Sequence, residues 1–187
     1  RALFDKRTLA VILIIAGLVL GLMWFFVWWS GRSPAPAPQV VVETNSQVPE
    51  PKVIGLSVEG RKIEEYTYGT GEKHLVFVGG IHGGYEWNSV VLAYALVDYL
   101  NQASGIIPAG LKVTVIPTAN PDGVYKVIGK EGRFAAADVP LSPSLQAASR
   151  FNARKVDLNR NFDCKWQPEG TWRGVQVNAG SKPFSEP

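Results

Sequence analysis

The hydrophobic pattern opens with a long apolar stretch over residues 9–29 that contains no charged residue. As a helix, this stretch would span about 30 Å, which is the thickness of the hydrocarbon core of a bilayer. A cleaved signal peptide usually has a shorter apolar region, of about 7–15 residues. We therefore predict a single transmembrane helix over residues 9–29 that contacts membrane lipid, with a cleaved signal as the alternative.

The charges that flank this stretch predict its orientation. Arg1, Lys6 and Arg7 precede the stretch, whereas only Arg32 follows it closely. Because basic residues favour the cytoplasmic side of a membrane, we predict that residues 1–8 form a cytoplasmic stub and that the rest of the chain lies outside.

The polar pattern after the apolar stretch separates a linker from a folded domain. Prolines recur over residues 30–51, which predicts an extended linker. A domain is then predicted over residues 52–187. Its alternating and apolar runs predict two strands, 53–58 and 62–68, that form a hairpin around a turn at Glu59-Gly60. They also predict strands at 74–78 (a buried strand) and 111–116, and a helix at 88–100 capped by Asn88. The order strand, helix, strand predicts a βαβ unit and an α/β fold.

Composition and charge narrow the classes of function. The net charge of +3 comes from scattered lysines and arginines, so we expect no nucleic-acid partner. The single cysteine, Cys164, excludes an internal disulfide and is interpreted as an ordinary packed residue.

The glycine-rich segment that follows the 74–78 strand is the first candidate site. It reads GGIHGGYEW and places His82 four residues before Glu86. A histidine nitrogen and a carboxylate oxygen are ligands that a catalytic zinc ion accepts. The alternative is a buried histidine satisfied by hydrogen bonds, with a glutamate that caps the next helix. Asn120 to Gly123, a predicted turn, follows the 111–116 strand at the same edge of the sheet, where α/β proteins place their sites.

A second candidate cluster lies near residues 150–162. Asp157 could hold the far nitrogen of a ligating histidine, and Arg160 could bind a carboxylate through two parallel hydrogen bonds. The alternative for the arginines of this segment is a solvated face.

These segments together resemble the carboxypeptidase A-like zinc metallopeptidases. The resemblance runs from about Gly55 to Pro187. It is carried by G-R-x-I at 60–63, by GGIHGG, by NPDG at 120–123 and by VDLNRNF at 156–162. It implies a zinc-carboxypeptidase-like mixed sheet flanked by helices, and Zn2+ as the cofactor.

The resemblance also implies a role for each matching residue. His82 and Glu86 match the first two zinc ligands, and Asp157 matches the carboxylate that orients the histidine. The remaining matches concern the substrate, a peptide with a free C-terminal carboxylate. Asn159 and Arg160 match the pair that binds this carboxylate. Arg150 is the best match for the arginine that polarises the scissile carbonyl, with Arg154 as the alternative.

Two features of the sequence differ from the family pattern. Three residues separate His82 from Glu86 where the family usually has two, and no histidine follows His82. We therefore expect the chain to be the N-terminal part of a longer catalytic domain, whose third zinc ligand and general base lie beyond residue 187.

The predicted function is a membrane-anchored, outward-facing zinc metallocarboxypeptidase, present here as a fragment that is inactive alone. One alternative is an amidase or acylase of the same fold that acts on cell-wall peptides or acylated amino acids. Another is a non-catalytic surface protein that binds peptide carboxylates.

Overall fold

The computed structural model describes residues 6–31 and 49–187, and the chain divides into two units, Arg1–Val41 and Val42–Pro187. Residues 1–5 of the predicted stub and residues 32–48 of the predicted linker lie outside the described residues.

The first unit contains one long helix, α1, over Lys6–Ser30. This helix covers the stretch that we predicted to cross a membrane. Among the described residues, however, no helix was found to combine the length and the apolar character that a membrane span requires. The predicted transmembrane anchor, and the lipid contact through residues 9–29, therefore have no support from the structure.

The second unit combines strands, helices and short 3-10 turns. The strands are β1 (Lys52–Leu56), β2 (Lys62–Tyr68), β3 (Lys73–Val78), β4 (Leu111–Ile116), β5 (Glu169–Trp172) and β6 (Val175–Asn178). The helices are α2 (Trp87–Gln102), α3 (Pro121–Ile128) and α4 (Pro143–Ala148). The 3-10 turns are Gly83–Glu86, Ser104–Ile106, Ala136–Asp138 and Leu158–Arg160.

The main sheet is mixed and has the strand order β1-β2-β4-β3. The pairs β1–β2 and β2–β4 are antiparallel, whereas β3 and β4 are parallel and are joined through α2. The predicted hairpin around Gly60 and the predicted βαβ unit are therefore confirmed. In a second, two-stranded sheet, β5 and β6 form an antiparallel hairpin.

The core lies between α2 and the strands β2 and β4. Its buried members come from one face of the helix and from the facing side chains of the strands: Tyr68, Ala93, Val97, Leu100, Val113 and Val115. The Tyr68 hydroxyl donates a hydrogen bond to Asn101 Oδ1 at 2.7 Å, and burial raises the pKa of Tyr68 to about 12. This packing holds α2 against the sheet, and the candidate site lies at the start of that helix.

Residues 74–78 form a strand as predicted, but the prediction that this strand is buried is wrong. The side chains from Leu75 to Val78 are about half exposed. Within residues 49–187, β3 pairs with β4 along one edge and has no strand partner along the other. The apolar run therefore remains an open edge, which is a common site for pairing with further polypeptide.

Two predicted local features also differ from the structure. Residues 120–123 are not an isolated turn, because α3 begins at Pro121 and the Asn120 side chain caps it by accepting a hydrogen bond from the Gly123 amide at 3.0 Å. Proline suits the first helical position, where its missing N–H costs nothing. Asn88 does not cap α2, since that helix already begins at Trp87.

Candidate metal site

A single 3-10 turn places the two predicted zinc ligands side by side. His82 directly precedes the turn at Gly83–Glu86, which runs into α2. Gly83 has a φ of +49°, and a Cβ added there would lie 2.6 Å from the carbonyl oxygen of Ser149. Only glycine therefore fits this position without strain. The tight turn accommodates the three residues that separate His82 from Glu86.

The His82 imidazole lies between two carboxylates and is 5% exposed. Its Nδ1 is 2.5 Å from Oε1 of Glu86, and its Nε2 is 3.3 Å from Oδ1 of Asp157. The second contact lacks hydrogen-bond alignment, so the buried Nε2 has no aligned partner among the described residues. The structure thus brings together three of the predicted site residues around one ring.

This arrangement fits a metal ion in part. A neutral imidazole has one N–H and cannot donate to both carboxylates. If Nδ1 and Glu86 were both ligands of a cation, the imidazole proton would stay on Nε2, facing Asp157, which is the usual way a carboxylate orients a zinc-ligating histidine. Nitrogen and carboxylate oxygen both suit zinc. However, the described residues contain no group of three or more His, Cys, Asp or Glu side chains that could hold a metal ion.

Asp157 is fully buried and forms an ion pair with Arg150. Its Oδ2 accepts hydrogen bonds from Nε and Nη2 of Arg150 at 3.0 and 2.8 Å. Its Oδ1 accepts a hydrogen bond from the backbone N–H of Asn159 at 3.1 Å. Burial acts to raise the pKa of Asp157, but the neighbouring His82 and Arg150 side chains outweigh it and hold the pKa below its ordinary value. Asp157 therefore stays charged behind the histidine.

Arg150 is itself buried and is fixed on both sides. Two of its guanidinium nitrogens bind Asp157, and the guanidinium carbon lies 4.7 Å from the ring centre of Trp172. For the remaining nitrogen, Nη1, the described residues provide no hydrogen-bond acceptor. Nη1 is thus the atom of Arg150 that is left to meet a substrate carbonyl, the predicted role of this residue.

Asn159 and Arg160 line a separate cavity of about 460 Å3. Arg160 donates hydrogen bonds from Nη1 to the carbonyl oxygen of Asn159 at 3.1 Å and from Nη2 to that of Thr171 at 3.2 Å. It has no carboxylate partner among the described residues, so its charge is available to an anionic ligand. The structure therefore places the predicted carboxylate-binding pair at an open cavity.

Cys164 lines the same cavity and is exposed, so its interpretation as a packed residue is wrong. Residues 162–165, which follow the buried Asn161, are all exposed, and nothing in the sequence pattern indicates this change. The second histidine, His74, lies on β3 and its Nε2 is 2.8 Å from the Thr114 hydroxyl, within the sheet.

The tip of the β5–β6 hairpin is a part of the site that sequence reasoning missed. Trp172 packs edge to face on Tyr85 at 5.4 Å and on Phe151 at 6.2 Å. Arg173 donates from Nη2 to the Tyr85 hydroxyl at 2.8 Å. The signal was present, because Arg173-Gly174 separates two short alternating runs and glycine at the second position is typical of a two-residue hairpin turn.

Gly123 is closely packed against Ser149 and Asn120, and a substitution tests whether this packing stabilises the domain. A Cβ at this position would lie 2.3 Å from the Ser149 carbonyl oxygen and 2.8 Å from Asn120 Nδ2. We expect Gly123→Ala to lower the free energy of unfolding by about 1–3 kcal/mol, as overpacking typically does. Chemical denaturation followed by circular dichroism would measure it. Gly110→Ala, where a Cβ meets open space, is the control, and an equal loss in both variants would contradict this account.

Comparison with known proteins assigns the family. The family model for zinc carboxypeptidases matches residues 39–187. The chain therefore belongs to the zinc carboxypeptidase family, and its second unit has the mixed α/β fold of that family.

Solved structures with a similar fold include two of thrombin-activatable fibrinolysis inhibitor. One of them matches with a TM-score of 0.51 and 21% identity, over 74% of this chain and 36% of that chain. The bovine protein matches with a TM-score of 0.50 and 21% identity, over 74% of this chain and 45% of that chain. The murein-tripeptide amidase MpaA from Escherichia coli O157 matches with a TM-score of 0.46 and 25% identity, over 74% and 52% of the two chains.

The chain thus spans about a third to a half of the length of these structures. The curated proteins contain no significant match to it.

Proposed function

We propose that this chain supplies part of the active site of a zinc-dependent carboxypeptidase that removes C-terminal residues from peptides. The observation that carries the proposal is the 2.5 Å approach of His82 Nδ1 and Glu86 Oε1, with Asp157 on the far side of the ring. Membership of the zinc carboxypeptidase family supports it. Residues that are not in this chain would complete the ligand set and supply the general base.

The residues of this chain would hold and orient the reacting groups. When bound, zinc would acidify a coordinated water and polarise the scissile carbonyl. His82 and Glu86 would hold the ion, and Asp157 would keep the histidine proton on Nε2. Arg150 would direct Nη1 at the carbonyl oxygen, where negative charge develops.

The substrate's C-terminal carboxylate would bind at the cavity lined by Asn159 and Arg160. The guanidinium of Arg160 would exchange its two bonds to backbone carbonyl oxygens for two bonds to the carboxylate, which are stronger because both partners are charged. Attachment to a membrane and an outward-facing domain stay predictions from the sequence.

Zinc binding and peptide cleavage test the proposal together. We expect the 187-residue chain to bind zinc weakly and to leave peptides intact, and a form extended at its C-terminus by about 150 residues to bind one zinc ion tightly. The extended form is expected to cleave peptides with a free C-terminus and to spare their C-terminal amides. Liquid chromatography with mass spectrometry would follow the products.

Two results would contradict the proposal. Tight, stoichiometric zinc binding by the 187-residue chain would show that the described residues form a complete site. Equal cleavage of free and amidated peptides would instead favour an amidase or acylase.

A further inference from the structure

We propose that Arg173, at the tip of the β5–β6 hairpin, selects substrates that carry a second carboxylate close to the C-terminal one. The inference rests on the proposed function, since it concerns the peptide that the same site would bind. The proposed substrates are peptides with an acidic side chain near the C-terminus.

The first support is the position of Arg173 beside the metal ligands. Its Nη2 is 2.8 Å from the hydroxyl of Tyr85, the residue that immediately precedes Glu86. Its guanidinium carbon also lies 5.7 Å from the Tyr85 ring centre and 5.3 Å from that of Trp172. An anion bound by Arg173 would thus lie at the rim of the site.

The second support is charge. The cations and anions nearest the site are mostly paired, because Arg150 binds Asp157 and His82 contacts Glu86. Arg173 is exposed, and its polar partner is the neutral Tyr85 hydroxyl. Among the described residues it has no carboxylate within ion-pairing distance. An unpaired guanidinium at the rim attracts anions and matches the geometry of a carboxylate.

The third support is backbone conformation. Arg173 has a φ of +50° and Gly174 a φ of +77°, as in a type I′ hairpin turn. Asparagine, aspartate or glycine are the residues that such a turn favours at its first position, and an arginine there is strained. A strained residue that a better turn former could replace indicates a role other than folding.

The hairpin is also held firmly enough to position the arginine. The amide of Asp157 donates to the Asn178 carbonyl oxygen at 2.9 Å, which ties β6 to the segment that carries the buried ion pair. Near the tip of the hairpin, Arg160 donates a hydrogen bond to the Thr171 carbonyl oxygen, two residues before Arg173. Arg160 therefore contacts the strand that leads directly to Arg173, and we expect one short peptide to reach both side chains.

The test compares peptides that differ in one charge. N-acetylated tetrapeptides with a free C-terminus would carry either glutamate or glutamine at one of the two positions before the last residue. We expect the chain to bind the better glutamate peptide about fivefold more tightly than its glutamine partner at low ionic strength, as for one exposed ion pair. The preference should shrink as salt is added. Isothermal titration calorimetry or NMR titration would measure it without requiring hydrolysis.

Variants separate recognition from folding. Arg173→Asn suits the turn and removes the charge, so it should keep or raise the melting temperature while abolishing the preference. Arg173→Lys should retain part of the preference. Lys182→Gln removes an exposed positive charge that has no ion-pair partner among the described residues, and it should leave the preference unchanged.

These measurements distinguish the role of Arg173 from the carboxypeptidase assignment. Equal binding of the paired peptides, or a preference that survives in Arg173→Asn, would overturn the role of Arg173. A glutamate preference that is the same for free and amidated C-termini would overturn the carboxypeptidase assignment and leave the role of Arg173 standing. Absence of binding by every peptide would overturn both.

Discussion

Replacing Asp157 with alanine is expected to lower the free energy of unfolding of the folded domain by about 3–5 kcal/mol. The carboxylate is fully buried and accepts two hydrogen bonds from Arg150, which is 4% exposed. Without Asp157, the Arg150 guanidinium would remain as a buried charge with no partner, and the backbone N–H of Asn159 would lose its hydrogen-bond acceptor. Urea denaturation followed by tryptophan fluorescence would measure the loss.

Two further variants check that the buried ion pair is the cause. Asp163→Ala removes the carboxylate of an exposed residue in the same loop and should change the stability by less than about 0.5 kcal/mol. Replacing Arg150 with methionine and Asp157 with leucine together should recover much of the loss, because removing both charges avoids an unpaired one. If Asp157→Ala is as stable as Asp163→Ala, the ion pair does not hold this segment in place.

In the form extended at its C-terminus, replacing His82 with alanine is expected to lower zinc affinity by more than about 100-fold. Loss of an outer partner of a ligating histidine already costs about 10- to 100-fold, and loss of the ligand itself should cost more. Competition with a chromophoric zinc chelator would measure the affinity of each variant.

The chain contains a matched control for this experiment. His74 is the other of its two histidines and is engaged with Thr114 in the sheet, so His74→Ala should leave zinc affinity unchanged. Glu86→Gln keeps the size of the side chain but removes its charge, and its affinity should fall between those of the two alanine variants. Equal losses for His74→Ala and His82→Ala would mean that zinc binds without a specific site.

Local sequence signals were sufficient for much of the fold. Alternation and a glycine turn predicted the β1–β2 hairpin, and the apolar runs on either side of a helical segment predicted the parallel pair β3–β4. These features depend on residues that are close in sequence. The start of α3 was missed although Asn120 and Pro121 are typical of a helix start, because Asp-Gly also favours a turn.

Features that depend on distant residues were harder to predict. An apolar run such as β3 is expected to be buried, but burial requires a covering element, which the sequence of the strand does not encode. The contact of Arg173 with Tyr85 joins two segments that lie 88 residues apart in the sequence and meet only in the folded chain. The order of the motifs predicted which residues would lie close together, and the structure adds which atoms form each contact.

The most direct test of the proposed metal site is long-range 1H–15N NMR of the two imidazoles during a zinc titration. The account predicts that zinc shifts the His82 Nδ1 resonance to that of a metal-bound nitrogen, while Nε2 keeps its proton toward Asp157. It also predicts that the His74 resonances stay where they are. Binding of zinc through Nε2 of His82, or unchanged resonances from His82 at saturating zinc, would contradict the account.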